Sequence, residues 1–278
     1  MDAELKLEID RDRVRATFDG DPDDGCAAAC AKLVSHIATM SPRRVQIVCD
    51  FASPDTAWGT ALSGKSFPAV TAFIFDTYFQ TQTRQGTNSI GDLAATFGAF
   101  PQLARVFATG NLALSPCEHA NVRALHLLGD PLEQELLANL GGCNFPKLGK
   151  LALSLASDRG PVPMAAAIAA IAKLRAPLLR ELHLDGFGSI EGELGALIDG
   201  VAGRVKELVL HGSIDDEDQL IEVLEAKANA LRAFDVLGLP LVDYVSTDAA
   251  ESAARHVPAV RDTDQIASEM LPAAYETW

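Results

Sequence analysis

Basic side chains are scarce in this chain of 278 residues. Lys and Arg number 23 against 38 Asp and Glu, a formal charge of −15. A protein that grips a nucleic-acid backbone needs a positive face, so the composition argues against that class. No stretch approaches the roughly 18 consecutive apolar residues of a membrane helix. The longest candidate, residues 162–174, is Ala-rich and reads as a buried helix. The opening Met1-Asp2-Ala3-Glu4-Leu5-Lys6 is polar and lacks the basic start and apolar run of a secretory signal. Cys26, Cys30, Cys49, Cys117 and Cys143 are odd in number and irregular in spacing, which disfavours a disulfide framework and fits a reducing cytoplasm. What the chain does have is apolar substance. Hydrophobic residues make up 48% and charged residues 22%, enough to bury a core in one large domain or two small ones.

One pattern recurs. Leu179-Arg180-Glu181-Leu182-His183-Leu184 has the form L-x-x-L-x-L. It returns at Val205-Lys206-Glu207-Leu208-Val209-Leu210, Leu148-Gly149-Lys150-Leu151-Ala152-Leu153 and Val122-Arg123-Ala124-Leu125-His126-Leu127. A further copy is placed at Leu231-Arg232-Ala233-Phe234-Asp235-Val236, with weaker ones at 103–108 and 70–75 and a degenerate one at 45–49. A proline (Pro68, Pro101, Pro146, Pro177) stands two residues before the first apolar position of four copies. Alternation over L-x-L predicts strands with one buried face. The segments between turn helical: Met164, Ile168, Ile171 and Leu174 recur at helix spacing, as do Ile190, Leu194, Leu197, Ile198 and Val201. Asp215-Asp216-Glu217-Asp218 supplies the acidic start of a helix carrying Leu220, Ile221 and Leu224. The predicted strands lie near 70–75, 104–108, 123–127, 149–153, 180–184, 206–210 and 232–236.

This resembles the leucine-rich-repeat superfamily in its longer strand-plus-helix form, similar to ribonuclease inhibitor. The resemblance covers residues 68–240 and extends toward 42. It implies an α/β solenoid, a horseshoe with parallel strands on the concave face and helices on the convex face. Gly129, Gly186 and Gly212 are placed in the turns where the family has Asn or Cys. The organisation expected is an N-terminal hairpin-plus-helix cap over 1–41, the solenoid over 42–240, and a C-terminal cap and tail over 241–278. Leu5–Ile9 and Val14–Phe18 form the hairpin, a helix follows from Gly25 to Met40, a last helix covers Ala249–His256, and Trp278 docks the tail.

Chemical motifs are few. Gly59-Thr60-Ala61-Leu62-Ser63-Gly64-Lys65-Ser66 fits G-x-x-x-x-G-K-S, the phosphate-cradling loop. Its context is wrong, because no strand leads into it and Phe67-Pro68 follows where a helix must begin. A helix over 54–62 ending at Gly64 accounts for it, and a nucleotide enzyme remains the alternative. Asp19 to Gly25 is rich in aspartate but lacks the glycine and glutamate of a calcium loop. Cys117-Glu118-His119 with Cys143 lacks the paired spacing of a structural zinc site. No catalytic residue, metal or cofactor is assigned.

The repeat phase itself defines a surface. Before the strand centre come Arg105, Lys150, Glu181 and Glu207. Between the apolar pair come Phe107, His126, His183, Val209 and Asp235. After it come Asp76, Thr109, Ser154, Asp185 and His211. Residues 177–240 hold five Lys/Arg against thirteen Asp/Glu. The resemblance implies a non-enzymatic protein-binding module, of the kind in which an acidic inhibitor or immunity protein holds a basic enzyme or toxin. Glu181, His183, Asp185, Glu207, His211 and Asp235 are the partner-binding candidates, with a purely structural scaffold as a further alternative. A basic protein is the partner expected, not nucleic acid or a membrane.

Overall fold

Where four of the copies carry their proline, the chain makes the same turn. Val70 N–H donates to Phe67 O, Leu103 to Phe100 O, Leu148 to Phe145 O and Leu179 to Ala176 O, at 2.9–3.2 Å. Each proline occupies the second position of that turn, where its fixed φ is preset. The turn buries the first apolar residue and delivers the chain into a strand. The computed structural model describes residues 4–19, 25–49, 53–77, 88–128, 134–154, 164–240 and 247–263.

The described strands are β1 (Glu4–Asp10), β2 (Arg13–Asp19), β3 (Arg44–Cys49), β4 (Ala72–Asp76), β5 (Ser89–Asp92), β6 (Arg105–Thr109), β7 (Asn111–Ala113), β8 (Ala124–Leu128), β9 (Lys150–Ser154), β10 (Glu181–Ser189), β11 (Glu207–Ser213), β12 (Val236–Leu239) and β13 (Ala259–Asp262). The helices are α1 (Cys26–Met40), α2 (Asp55–Leu62), α3 (Leu93–Ala99), α4 (Gln134–Gly141), α5 (Met164–Lys173), α6 (Glu191–Val201), α7 (Glu217–Ala226), α8 (Ala228–Leu231) and α9 (Thr247–Ala254). Eleven strands form one sheet in the order β1-β2-β3-β4-β6-β8-β9-β10-β11-β12-β13, and β5 and β7 form a small second sheet. Apart from the β1–β2 hairpin every pairing is parallel.

The sheet grows by one repeated step. The carbonyl that precedes a strand accepts two consecutive N–H groups from the next strand's entry. Asp12 O accepts from Arg43 and Arg44, Arg123 O from Gly149 and Lys150, Arg180 O from Lys206 and Glu207, and Lys206 O from Asp235 and Val236. The same junction recurs at every step from β2 to β12. The core lies on one side of the sheet. Val45, Phe73, Val106, Leu125, Leu151, Leu182, Leu208 and Leu237 share a single cluster with the apolar faces of all the long helices. Ile74 and Phe107, which point the other way, form a separate small cluster. The helices therefore line the L-x-L side. No helix among the described residues is long and apolar enough to cross a membrane.

Every predicted strand but one starts within two residues of an observed strand, and β10 and β11 run five and three residues beyond their predicted ends. The strand placed at 232–236 lies at Val236–Leu239, and the repeat in phase is Phe234-Asp235-Val236-Leu237-Gly238-Leu239, because the short helix α8 lengthens that unit. β13 adds a strand beyond the point where periodicity fades, pairing Val260 with Leu237. Gly186 and Gly212 are not turn residues either. Both lie inside extended strands, at an irregularity that sets Phe187 opposite Gly212. Gly129, residues 20–24 of the aspartate-rich segment and Trp278 lie outside the described residues.

Candidate strand-face site

Parallel pairing without slippage arranges the face opposite the helices in lateral rows. One row runs through the strand entries: Arg13, Arg44, Ala72, Arg105, Ala124, Lys150, Glu181, Glu207, Val236. The next lies two residues along: Arg15, Gln46, Ile74, Phe107, His126, Ala152, His183, Val209, Gly238, Arg261. Successive members stand about 4.8 Å apart. From Gln46 to Gly238 the second row is buried between its neighbours, with His126 at 5% and His183 at 3% exposure, while Arg15 and the charged members of the first row are half-exposed and Arg261 is exposed.

The first row is electrically divided. Three arginines occupy its β2, β3 and β6 positions. Burial first, then Arg13 and Arg105, push the Arg44 guanidinium below its ordinary value. Arg13 donates to the Gln46 side chain. Lys150 marks the boundary, its Nζ 3.3 Å from Glu181 Oε2. Glu181 and Glu207 follow, directly opposite one another. His183 Nε2 lies 3.7 Å from Glu207 Oε1. That imidazole contact is the main influence holding the Glu207 carboxyl below its usual range, against partial burial and with help from Lys150 and Arg261. Glu181, His183 and Glu207 each offer a ligand atom within 4.8 Å of the others. His126 is driven down to about 3 by burial, then by Lys150 and His183, so it is a neutral imidazole at physiological pH.

Of the six partner-binding candidates, Glu181, His183 and Glu207 come together. Asp185 is exposed and accepts from Ser154 Oγ at 3.3 Å, and His211, half-exposed on β11, lies where the β10–β11 register becomes irregular. Asp235 does not join them. It stands one residue before β12, level with Lys206, a consequence of the three-residue phase error in that repeat. Arg13, Arg44 and Arg261 were missed. Arg44 stands just before the degenerate copy at Val45, the same place as Arg105 and Lys150, and that was the available signal. Arg261 lies in the strand that periodicity did not reveal.

Elsewhere the motifs resolve into structure. Gly59 to Leu62 belong to α2, Gly64 turns the chain at φ 67°, and Lys65 is exposed, so a helix ends inside the motif and none starts in it. Cys117 Sγ lies 3.8 Å from Cys143 Sγ. Their shared contact raises the Cys117 thiol and lowers that of Cys143. His119 sits apart from them, its Nε2 bonded to Phe100 O at 3.0 Å and its ring against Phe97. Cys30 is pushed up to about 12, chiefly by burial, which marks an inert core thiol.

No protein-family model and no curated protein matches the chain. A crystal structure of a protein from Bacteroides fragilis is similar in fold, with a TM-score of 0.59 over 94% of this chain and 92% of that one at 12% identity. At that identity the likeness concerns the fold alone.

Proposed function

We propose that this chain is a non-enzymatic binding protein built as a leucine-rich-repeat-like horseshoe, and that the strand face opposite its helices receives a protein partner. The observation that carries the reading is the division of charge along one row: Arg13, Arg44 and Arg105 at one end, Glu181 and Glu207 at the other. Fixed charges of opposite sign on a regular lattice orient a partner and speed its capture. The partner presents a basic patch to Glu181, Glu207 and Asp185, and acidic groups to the arginine end. An inhibitor-type role, covering the basic surface of an enzyme or toxin, is the form of binding this arrangement favours.

Affinity capture tests the reading with three baits: the parent, Glu181→Lys/Glu207→Lys, and a control reversed on the helix side, Glu222→Lys. The parent and the control retain one and the same protein, and the strand-face variant loses it. Equal recovery by all three baits contradicts the reading.

A further inference from the structure

We propose that Glu181, His183 and Glu207 form a binding site for a divalent transition-metal ion, with Zn²⁺ the species this donor set suits. The site goes beyond partner capture and requires no partner to be detected. Strand register builds it. Glu181 faces Glu207 across β10 and β11, and His183 lies two residues along β10 on the same face. One imidazole nitrogen and two carboxylate oxygens all fall within 4.8 Å of one another. Around a tetrahedral zinc, donor atoms at about 2.0–2.1 Å from the metal are separated from each other by roughly 3.3 Å. His183 Nε2 and Glu207 Oε1, at 3.7 Å, are already near that spacing. Closing the rest takes rotation of two half-exposed glutamate side chains about a histidine held rigid by burial.

The chemistry of the donors selects the ion. Mg²⁺ and Ca²⁺ prefer shells made of oxygen, whereas a mixed nitrogen and carboxylate set suits zinc and its first-row neighbours. Three protein ligands leave a fourth position for water or an incoming donor. Two carboxylates placed opposite each other on adjacent strands repel, and a cation between them removes that repulsion. Two cations oppose entry: Arg261, whose charge acts on Glu207, and more directly Lys150, whose ammonium is 3.3 Å from Glu181 Oε2. The Lys150 side chain is 29% exposed, so it swings into solvent when a metal arrives. Lys150 thus acts as a competitor for the site, which gives the proposal a distinctive signature.

The test uses the full chain, stripped with a chelator and titrated with Zn²⁺ against a chromogenic competitor, with circular dichroism confirming the fold of every variant. The parent binds one tight equivalent. His183→Ala and the isosteric Glu207→Gln each weaken it by at least about tenfold, the scale set by lost shell contacts. Lys150→Met tightens it several-fold. Co²⁺ in place of zinc gives visible absorption bands that disappear in Glu207→Gln, a readout that stands even should His183→Ala fail to fold. Absence of zinc binding by the parent overturns the proposal. So does zinc bound equally by parent, His183→Ala and Glu207→Gln, which would place it on the cysteines.

Discussion

Glu181 and Glu207 stand directly opposite each other on parallel strands β10 and β11. Like charges in register destabilise a sheet; Glu181 is met by the Lys150 ammonium, and Glu207 Oε1 lies 3.7 Å from the imidazole of His183. The acidic end of the face is therefore an array of four side chains from three successive strands of the sheet, β9, β10 and β11.

The Lys150–Glu181 pair is measurable. Lys150→Met lowers stability, and a double-mutant cycle with Glu181→Gln returns a favourable coupling of about 0.2–1 kcal/mol, the scale of a half-exposed ion pair. Chemical denaturation of the four proteins checks it. A coupling of zero or of opposite sign removes Lys150 from the array.

His126 makes stability depend on pH. Its folded value is depressed to about 3, against about 6.5 in an unfolded chain. Between those values the unfolded state takes up the proton and the folded state does not, so stability falls as pH drops through that window. His119, lowered chiefly by burial, acts in the same sense. His126→Gln retains hydrogen-bonding capacity without the titration. Its melting temperature declines less than the parent's between pH 7 and 5, above the range where carboxylates dominate. Parallel curves for the two proteins count against this account.

Glycines separate by what a side chain would meet. At Gly110 (φ 92°) a Cβ falls 2.7 Å from Asn88 O, and at Gly91 (φ 72°) 2.8 Å from Asp55 O. Both neighbours are backbone, so Gly110→Ala and Gly91→Ala each cost more than about 1 kcal/mol. Gly98 in α3 and Gly192 in α6 have nothing within 4 Å. Alanine there stabilises by up to about 1 kcal/mol through helix propensity. Melting temperatures of the four variants check both directions.

The legibility of this fold followed its chemistry. Strands β6 and β8 to β11 could be read because an apolar residue recurs at every second position through their centres and prolines mark the turn into several of them; β7 carries no copy of the motif. The unit ending in β12 slipped by three residues: Leu231 and Phe234 imitate the motif, yet both are buried in the turn and helix before the strand. β13 escaped because Asp262 takes the second apolar position. At the site, the row positions of Glu181, His183 and Glu207 followed from phase alone. Their contacts with Lys150 and with each other needed strand neighbours that one sequence does not reveal. The arginine end was obscured because Arg13 lies in a hairpin and Arg44 at the edge of a degenerate copy, so neither was counted with the repeats.

The central claim is that the divided row of charge is the binding surface. The direct measurement is the dissociation constant of the captured partner at low and high salt for the parent, Glu181→Lys/Glu207→Lys and Arg44→Glu/Arg105→Glu. Charge-guided binding weakens with salt because mobile ions screen the face, over about 10 Å at 0.1 M. The account predicts that both reversals weaken binding at low salt and flatten its salt dependence, with the fold intact by circular dichroism. Affinity and salt slope unchanged in both reversals would contradict it, and would move the binding surface to the helices.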